Sequence, residues 1–225
     1  KIFIIILKLI INKKSYIMLM PDKNCSHCDR LKSYRNKYRK LNPTWYNSPV
    51  ESFGAIDSKI LIVGLAPGLQ GANKTGRPFT GDHAGNTLYP TLIKNKLALG
   101  SYKETNNDEL NLQNTRITNS VRCVPPKNKP NALERNNCRK FLKSEINSMR
   151  NLEVILALGL IAHEEILKVF NLKAKSNKFK HGKVHYINNN LIMLDSYHCS
   201  RYNINTNRLT LEMFDKIIKK ISERI

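Results

Sequence analysis

The sequence predicts an α/β fold, a three-layer α/β/α sandwich around a mainly parallel four-stranded sheet. Short strand-like runs at residues 60–63, 115–121, 152–157 and 191–194 alternate with segments of helical periodicity, the pattern of parallel strands covered on both faces. The first run also opens into a loop far longer than the ~2–6 residues usual between strand and helix. In sheets of this kind ligands sit beyond the C-terminal strand ends, and the polar loops after Val63 and after Leu194 both fall at that edge.

Each element has its own signal. Behind a C-x-x-C pair, Cys25 and Cys28, the sequence DRLKSYRNKYRKLN reads as a strongly basic helix, and residues 43–57 read as irregular. The buried strand at 60–63 enters a loop carrying Gly64, Gly68, Gly71, Gly76, Gly81 and Gly85, with Pro67 and Pro78 fixing bends. Such a loop brings backbone N–H groups within contact distance of a flat or anionic ligand. Within it Phe79 offers a stacking face and Asp82 a carboxylate just ahead of a helix expected from residue 83 or 84 to 99. Residues 106–114 read as polar connection, 115–121 as the second strand, and Cys123-Val124-Pro125-Pro126 as a turn into a loop ending near Asn131. A helix is expected from there to Met149. Then come a strand at 152–157, a turn at Gly159, a helix at 160–170 and a basic loop at 173–182. The runs 184–187 and 191–194 flank Asn188-Asn189-Asn190 as a hairpin, and a final amphipathic helix is expected at 209–221.

At 225 residues the chain suits one domain, taken as residues 18–225. The first residues, KIFIIILKLIIN, fall short of the ~20 needed to span a bilayer, and Lys8 interrupts them. Residues 1–17 are therefore expected to be an extension outside the fold, with no membrane segment. Lys plus Arg is 38 against 17 Asp plus Glu, a net charge of +21. A field of that size concentrates polyanions, so nucleic acid is the leading partner. AT-rich codons explain part of the lysine excess, but not the scarcity of acids.

Five cysteines are present: Cys25, Cys28, Cys123, Cys138 and Cys199. A C-x-x-C pair with two further cysteines flanking one loop suggests a metal or cluster site. Thiolates in a set of four suit zinc or iron–sulfur, and spacing alone does not separate them from each other or from unrelated buried thiols. His198, in Ser196-Tyr197-His198-Cys199-Ser200, lies just beyond an apolar strand, where an imidazole can donate a hydrogen bond to an oxygen gaining charge. Cys199 beside it hints at a thiol nucleophile, but neighbours on extended backbone point opposite ways, which weakens that idea. His83, His163, His181 and His185 show no persuasive ligand spacing.

GLAPG followed by GANKTGRPFTGDHAG, together with SYHCSRYNINTNRLT, resembles the uracil-DNA glycosylase superfamily, most closely its fifth, B-type family. The likeness runs from Cys25 to the last helix. It implies that Cys25, Cys28, Cys123 and Cys138 hold a four-iron four-sulfur cluster. It implies a pocket lined by the backbone of Gly64, Leu65, Ala66, Pro67 and Gly68, with Phe79 stacking on a flipped base and Asn119 reading its edge. His198 would stabilise charge on the departing base. Leu65 stands where other families carry Asp or Glu and cannot activate water, so Asp82 is the expected carboxylate, stabilising an oxocarbenium-like sugar or orienting water; an N-cap is its alternative role. Arg201 and Tyr202 align with the wedge. Two departures stand out: Cys199 replaces the proline of the family's H-P-S motif, loosening that loop, and Asn207 replaces a common glycine.

The expectation is a monofunctional glycosylase of base-excision repair, using water to release uracil and other deaminated bases and leaving an abasic site. Its partner is double-stranded DNA, with single strands left open. A cytoplasmic, nucleoid-associated monomer is expected, with a structural cluster. The alternatives are a catalytically inactive iron–sulfur nucleic-acid-binding protein and, more remotely, a Cys199–His198 hydrolase.

Overall fold

The structure is a computed structural model, and it describes residues 18–225; the expected extension at 1–17 lies outside the described residues. In chain order the elements are helix α1 (Asp29–Leu41), strand β1 (Ile60–Gly64), helices α2 (Ala72–Thr75) and α3 (His83–Lys94), and strands β2 (Ala98–Leu99), β3 (Asn111–Leu112) and β4 (Thr115–Asn119). They continue with helix α4 (Ala132–Ser148), strand β5 (Val154–Leu158), helix α5 (Leu160–Val169), strands β6 (Val184–Tyr186) and β7 (Ile192–Ser196), and helices α6 (Arg201–Asn205) and α7 (Leu211–Ser222).

The sheet runs β4-β1-β5-β7-β6. The four strands expected from the sequence are parallel, with Gly64 level with Asn119 and Leu158 level with Ser196. The hairpin adds a fifth, antiparallel strand at one edge, pairing Val184 with Leu194. Both faces are covered, and each strand shares its residues between them. Ile60, Ile62, Leu156, Leu158 and Leu194 pack with Leu88, Leu92, Phe214 and Ile218 of α3 and α7. Leu61, Val63, Ile155, Ala157 and Met193 face the other way, against Leu142, Ile146, Ile166 and Leu167 of α4 and α5. The two-residue alternation of a strand produces this division, and each such side chain removed from water contributes about 1.5–3 kcal/mol.

Buried ion pairs tie the helices down. Glu145 of α4 receives Arg116 Nε at 2.6 Å and also pairs with Arg122. Burial alone would raise the Glu145 carboxyl, but the two guanidinium groups outweigh it and hold it below the usual range.

Several boundaries differ from expectation for local reasons. Helix α3 stops at Lys94, not Leu99, because Asn95 caps it and Lys96 turns into the left-handed region at φ 59. The chain then forms β2, which pairs with β3 inside the stretch expected to be connection. The segment after Ser200, for which the sequence suggested no element of its own, makes the short helix α6, with the Ser200 side chain accepting from the Asn203 N–H.

Candidate active site

Beyond the C-terminal strand ends lies a cavity of about 390 Å³, a size typical of small-ligand sites. Leu65, Ala66, Pro67 and Gly68 line it from the loop after β1, joined by Phe79, Asp82, Asn119, His198 and Arg201. Gly64 lies behind this wall. A Cβ there would stand 2.5 Å from both Phe79 Cζ and Asn119 Oδ1, so a bare backbone is what lets ring and amide converge.

Phe79 is buried with its backbone at φ 53, a costly conformation for an aromatic residue. Neighbours hold it there. Arg77 forms a two-pronged pair with Asp108 at 2.6 and 2.7 Å, donates Nε–H to Thr80 Oγ1 at 2.8 Å and lies over the rings of Phe53 and Tyr89. The Tyr89 hydroxyl donates to the Pro78 carbonyl.

Asp82 is both a cavity residue and the N-cap of α3, where its Oδ1 accepts from the Gly85 N–H at 3.1 Å. Its other oxygen faces Gly68 and Gly71, where a Cβ would approach Oδ2 to 3.2 and 2.6 Å. Burial pushes the carboxyl above its ordinary range, opposed by the amides of Gly85 and Ala84.

His198 stacks against Phe79, with ring centroids 5.9 Å apart and planes at 27°. Removal from water pushes its imidazole down to about 4, so the ring is neutral at physiological pH and carries one N–H donor. The loop holding it is restrained despite the missing proline. Its carbonyl accepts from Asn203 Nδ2 at 2.8 Å, and the fully buried Cys199 points its Sγ at the Ala84 carbonyl 3.6 Å away. Burial drives the Cys199 thiol far above the usual range, which removes the thiolate a cysteine hydrolase needs. Arg201 reaches the rim, while Tyr202 is 70 % exposed at the start of α6. Asn207 adopts φ 54, the conformation for which glycine is the common solution and asparagine an acceptable one.

The four other cysteines lie ahead of α1 (Cys25, and Cys28 as its N-cap), in the loop after β4 (Cys123) and within α4 (Cys138). Cys28, Cys123 and Cys138 share a cluster with Leu31, Val121 and Phe141. Arg35 reaches both the Cys123 sulfur and the Cys25 carbonyl. Burial is the main influence on the thiols, raising Cys28 and taking Cys123 up to about 12 and Cys138 to about 11. Among the described residues no three of these sulfurs converge within 4.8 Å of one another.

Sequence reasoning missed some cavity residues. Ala72, His83, Asn128 and Ser200 also line it, and of these only His83 carried a weighable signal, its place beside Asp82. Sequence reasoning weighed His163 and His185 without finding a ligand spacing and did not consider Asp195, with which they converge in the interior. Asp195 accepts from His163 Nδ1 and His185 Nε2, both at 2.8 Å, and from the Lys180 N–H at 3.2 Å. These bonds fix the end of β7, from which the His198 loop departs. Their sequence separation leaves no local spacing to read.

The family model for the Uracil DNA glycosylase superfamily matches residues 51–222. The chain is 40 % identical over 201 residues to the type-5 uracil-DNA glycosylase of Thermus thermophilus, covering 86 % of this chain and 90 % of that relative. It is 36 % identical to the type-5 uracil-DNA glycosylase of Pyrobaculum aerophilum, over 88 % and 87 % of the two chains. It is 27 % identical to the type-4 uracil-DNA glycosylase of Saccharolobus solfataricus, over 88 % and 83 %.

Proposed function

This chain belongs to the uracil-DNA glycosylase superfamily, and on that footing we propose that it is a monofunctional glycosylase that hydrolyses the bond between uracil and deoxyribose in DNA. The observation that carries this reading is the meeting of a stacking ring, an amide, a carboxylate and a neutral imidazole around one cavity: Phe79, Asn119, Asp82 and His198. The reading includes extrusion of the base, because the bond to be cut is out of reach inside a duplex. Arg201 at the rim and the exposed Tyr202 next to it in the chain are the proposed wedge that fills the vacated stack.

In the proposed reaction Phe79 stacks on the flipped base and the Asn119 amide donates to and accepts from its polar edge. As the glycosidic bond breaks, its electron pair moves onto the base and negative charge gathers on the carbonyl oxygen O2. The His198 N–H stabilises that charge as a neutral donor. Asp82 faces the sugar, where its carboxylate offsets positive charge and orients water for attack at C1′. The water oxygen bonds to C1′, and its proton leaves toward Asp82 and solvent. Among the described residues lining the cavity there is no lysine, in keeping with water as the nucleophile. Leu65 and the glycine-rich wall carry no side-chain donor against which a base must match, and we extend the substrates to other deaminated bases.

Cys25, Cys28, Cys123 and Cys138 are proposed to hold a four-iron four-sulfur cluster. Their surroundings suit one: the Arg122 N–H points at Cys138 Sγ at 3.4 Å, Asn137 Nδ2 at Cys28 Sγ at 3.6 Å and Arg35 Nη1 at Cys123 Sγ at 3.4 Å. N–H donors of this kind favour sulfur that carries negative charge. Thiols raised by burial must lose their protons to bind metal, so loading is coupled to pH and folding. Held by these residues, a cluster would tie the start of α1 to the loop after β4 and to α4 and would supply no step of the hydrolysis.

The rest of the reading follows from charge and fold. Residues 18–225 act as one catalytic unit on duplex DNA, as a monomer in the cytoplasm at the nucleoid. No helix of the described residues is long and apolar enough to cross a membrane. The test is base release from a duplex holding one uracil, with Asp82→Asn alongside. Loss of release in that variant with retained DNA binding supports the assignments, and unchanged release refutes the role of Asp82.

A further inference from the structure

Arg35 is 2 % exposed, yet its guanidinium touches no carboxylate among the described residues. Its contacts are Cys123 Sγ, 3.4 Å from Nη1, and the Cys25 carbonyl, 2.8 Å from Nη2; Nε is buried with no partner at all. Other buried arginines here are paired with acids: Arg77 with Asp108, and Arg116 and Arg122 with Glu145. A buried cation without a counter-charge costs several kcal/mol, and an unsatisfied buried N–H adds to that. The cost calls for negative charge at this point, and the groups the Arg35 guanidinium touches belong to two of the four cysteines, the Cys123 sulfur and the Cys25 carbonyl.

We infer that Arg35 is the internal counter-ion of the cluster, binding the sulfur of Cys123 through Nη1 and keeping a further donor, the unpartnered Nε–H, free for the charge the cluster would bring. The inference rests on the cluster reading given above and goes beyond it, because it assigns a role to a residue that ligates nothing. Four thiolates around a four-iron four-sulfur core leave the assembly net negative, and each added electron makes it more so. A fixed positive charge and N–H···S bonds stabilise the reduced form more than the oxidised form. Arg35 is thus a positioning residue that raises the cluster's potential and slows its loss. It also fastens α1 to the cysteine-bearing chain, since its other prong holds the backbone at Cys25.

The experiment uses the full chain, purified without oxygen, as wild type, Arg35→Lys and Arg35→Gln. Iron and sulfide content are measured, with the reduction potential, the rate of bleaching in air, and the Fe–S stretching bands in H2O and D2O. The wild type is expected to hold iron, with a band that shifts in D2O. Arg35→Gln is expected to show a lower potential and several-fold faster bleaching, and Arg35→Lys a potential between the two with a smaller D2O shift. Iron-free wild-type protein overturns the cluster reading itself, and this inference with it. Iron-loaded wild type with Arg35→Gln at the same potential and bleaching rate overturns only the counter-ion role. If Arg35→Gln does not fold, an identical D2O response in wild type and Arg35→Lys overturns it instead.

Discussion

The rings of Phe79 and His198 lie 5.9 Å apart at 27°, one delivered by the loop after β1 and the other by the loop after β7. Neither strand neighbours the other, for β5 runs between them. The contact closes the cavity across the sheet's C-terminal edge, so errors in either loop reach the same place.

Gly64→Ala tests the first loop. The new methyl has to displace Phe79 or Asn119, each 2.5 Å from its position, and a shift of about 1 Å at a reacting site costs on the order of 100-fold in rate. Single-turnover release from a single-uracil duplex is expected to fall by about that factor, with the protein still folded by circular dichroism.

Asp82 separates into two roles by substitution. Asp82→Asn keeps an oxygen for the Gly85 N–H but loses the charge, so release is expected to drop roughly 100- to 10,000-fold with little change in melting temperature. Asp82→Ala is expected to lose activity and also about 1 kcal/mol of stability with the cap. A purely capping Asp82 predicts the opposite order, with stability lost in Asp82→Ala and release intact in Asp82→Asn.

His198 carries a pH signature in stability. Its imidazole sits at about 4 in the folded chain against 6.5 ordinarily, so between those values the unfolded state binds the proton and the folded state does not. Stability therefore falls as pH drops through 6.5 and levels off below about 4, a total of roughly 3 kcal/mol from this group. Denaturant titrations from pH 7 to 4 are expected to show this slope in the wild type and lose it in His198→Asn. Equal slopes in the two proteins exclude a His198 that folding holds neutral.

Tyr202 is exposed, so Tyr202→Ala is expected to leave the melting temperature within about 1 °C, a surface change of under ~0.5 kcal/mol. Release is expected to suffer more from a paired uracil than from a single-stranded one, where no stack has to be opened. Equal losses on both substrates place Tyr202 outside the wedge.

The layers of the fold were legible because β1 and β5 are buried on both faces and read as near-continuous apolar runs, while α7 repeats its apolar positions at Phe214, Ile217, Ile218 and Ile221. Much of the cavity was legible from the glycine-rich loop and the resemblance, since Leu65, Gly68, Phe79 and Asp82 lie in one segment. What escaped was long-range. The β2–β3 pair depends on Lys96 leaving the helix at positive φ, a backbone choice that a lysine does not announce. The His163–His185–Asp195 network joins α5, β6 and β7, and only the sheet order brings those elements together.

The central claim is that the cavity at the sheet edge releases a base from DNA. The most direct measurement is single-turnover release of uracil from a duplex holding one uracil, made on anaerobically purified full-length chain whose absorbance near 400 nm, a region of iron–sulfur charge transfer, is recorded on the same sample. Free uracil and an abasic site in the wild type, with both lost in Asp82→Asn, is the predicted result. A protein that binds the duplex tightly and carries the chromophore but releases no base contradicts the claim and makes the chain a nucleic-acid-binding protein without catalysis.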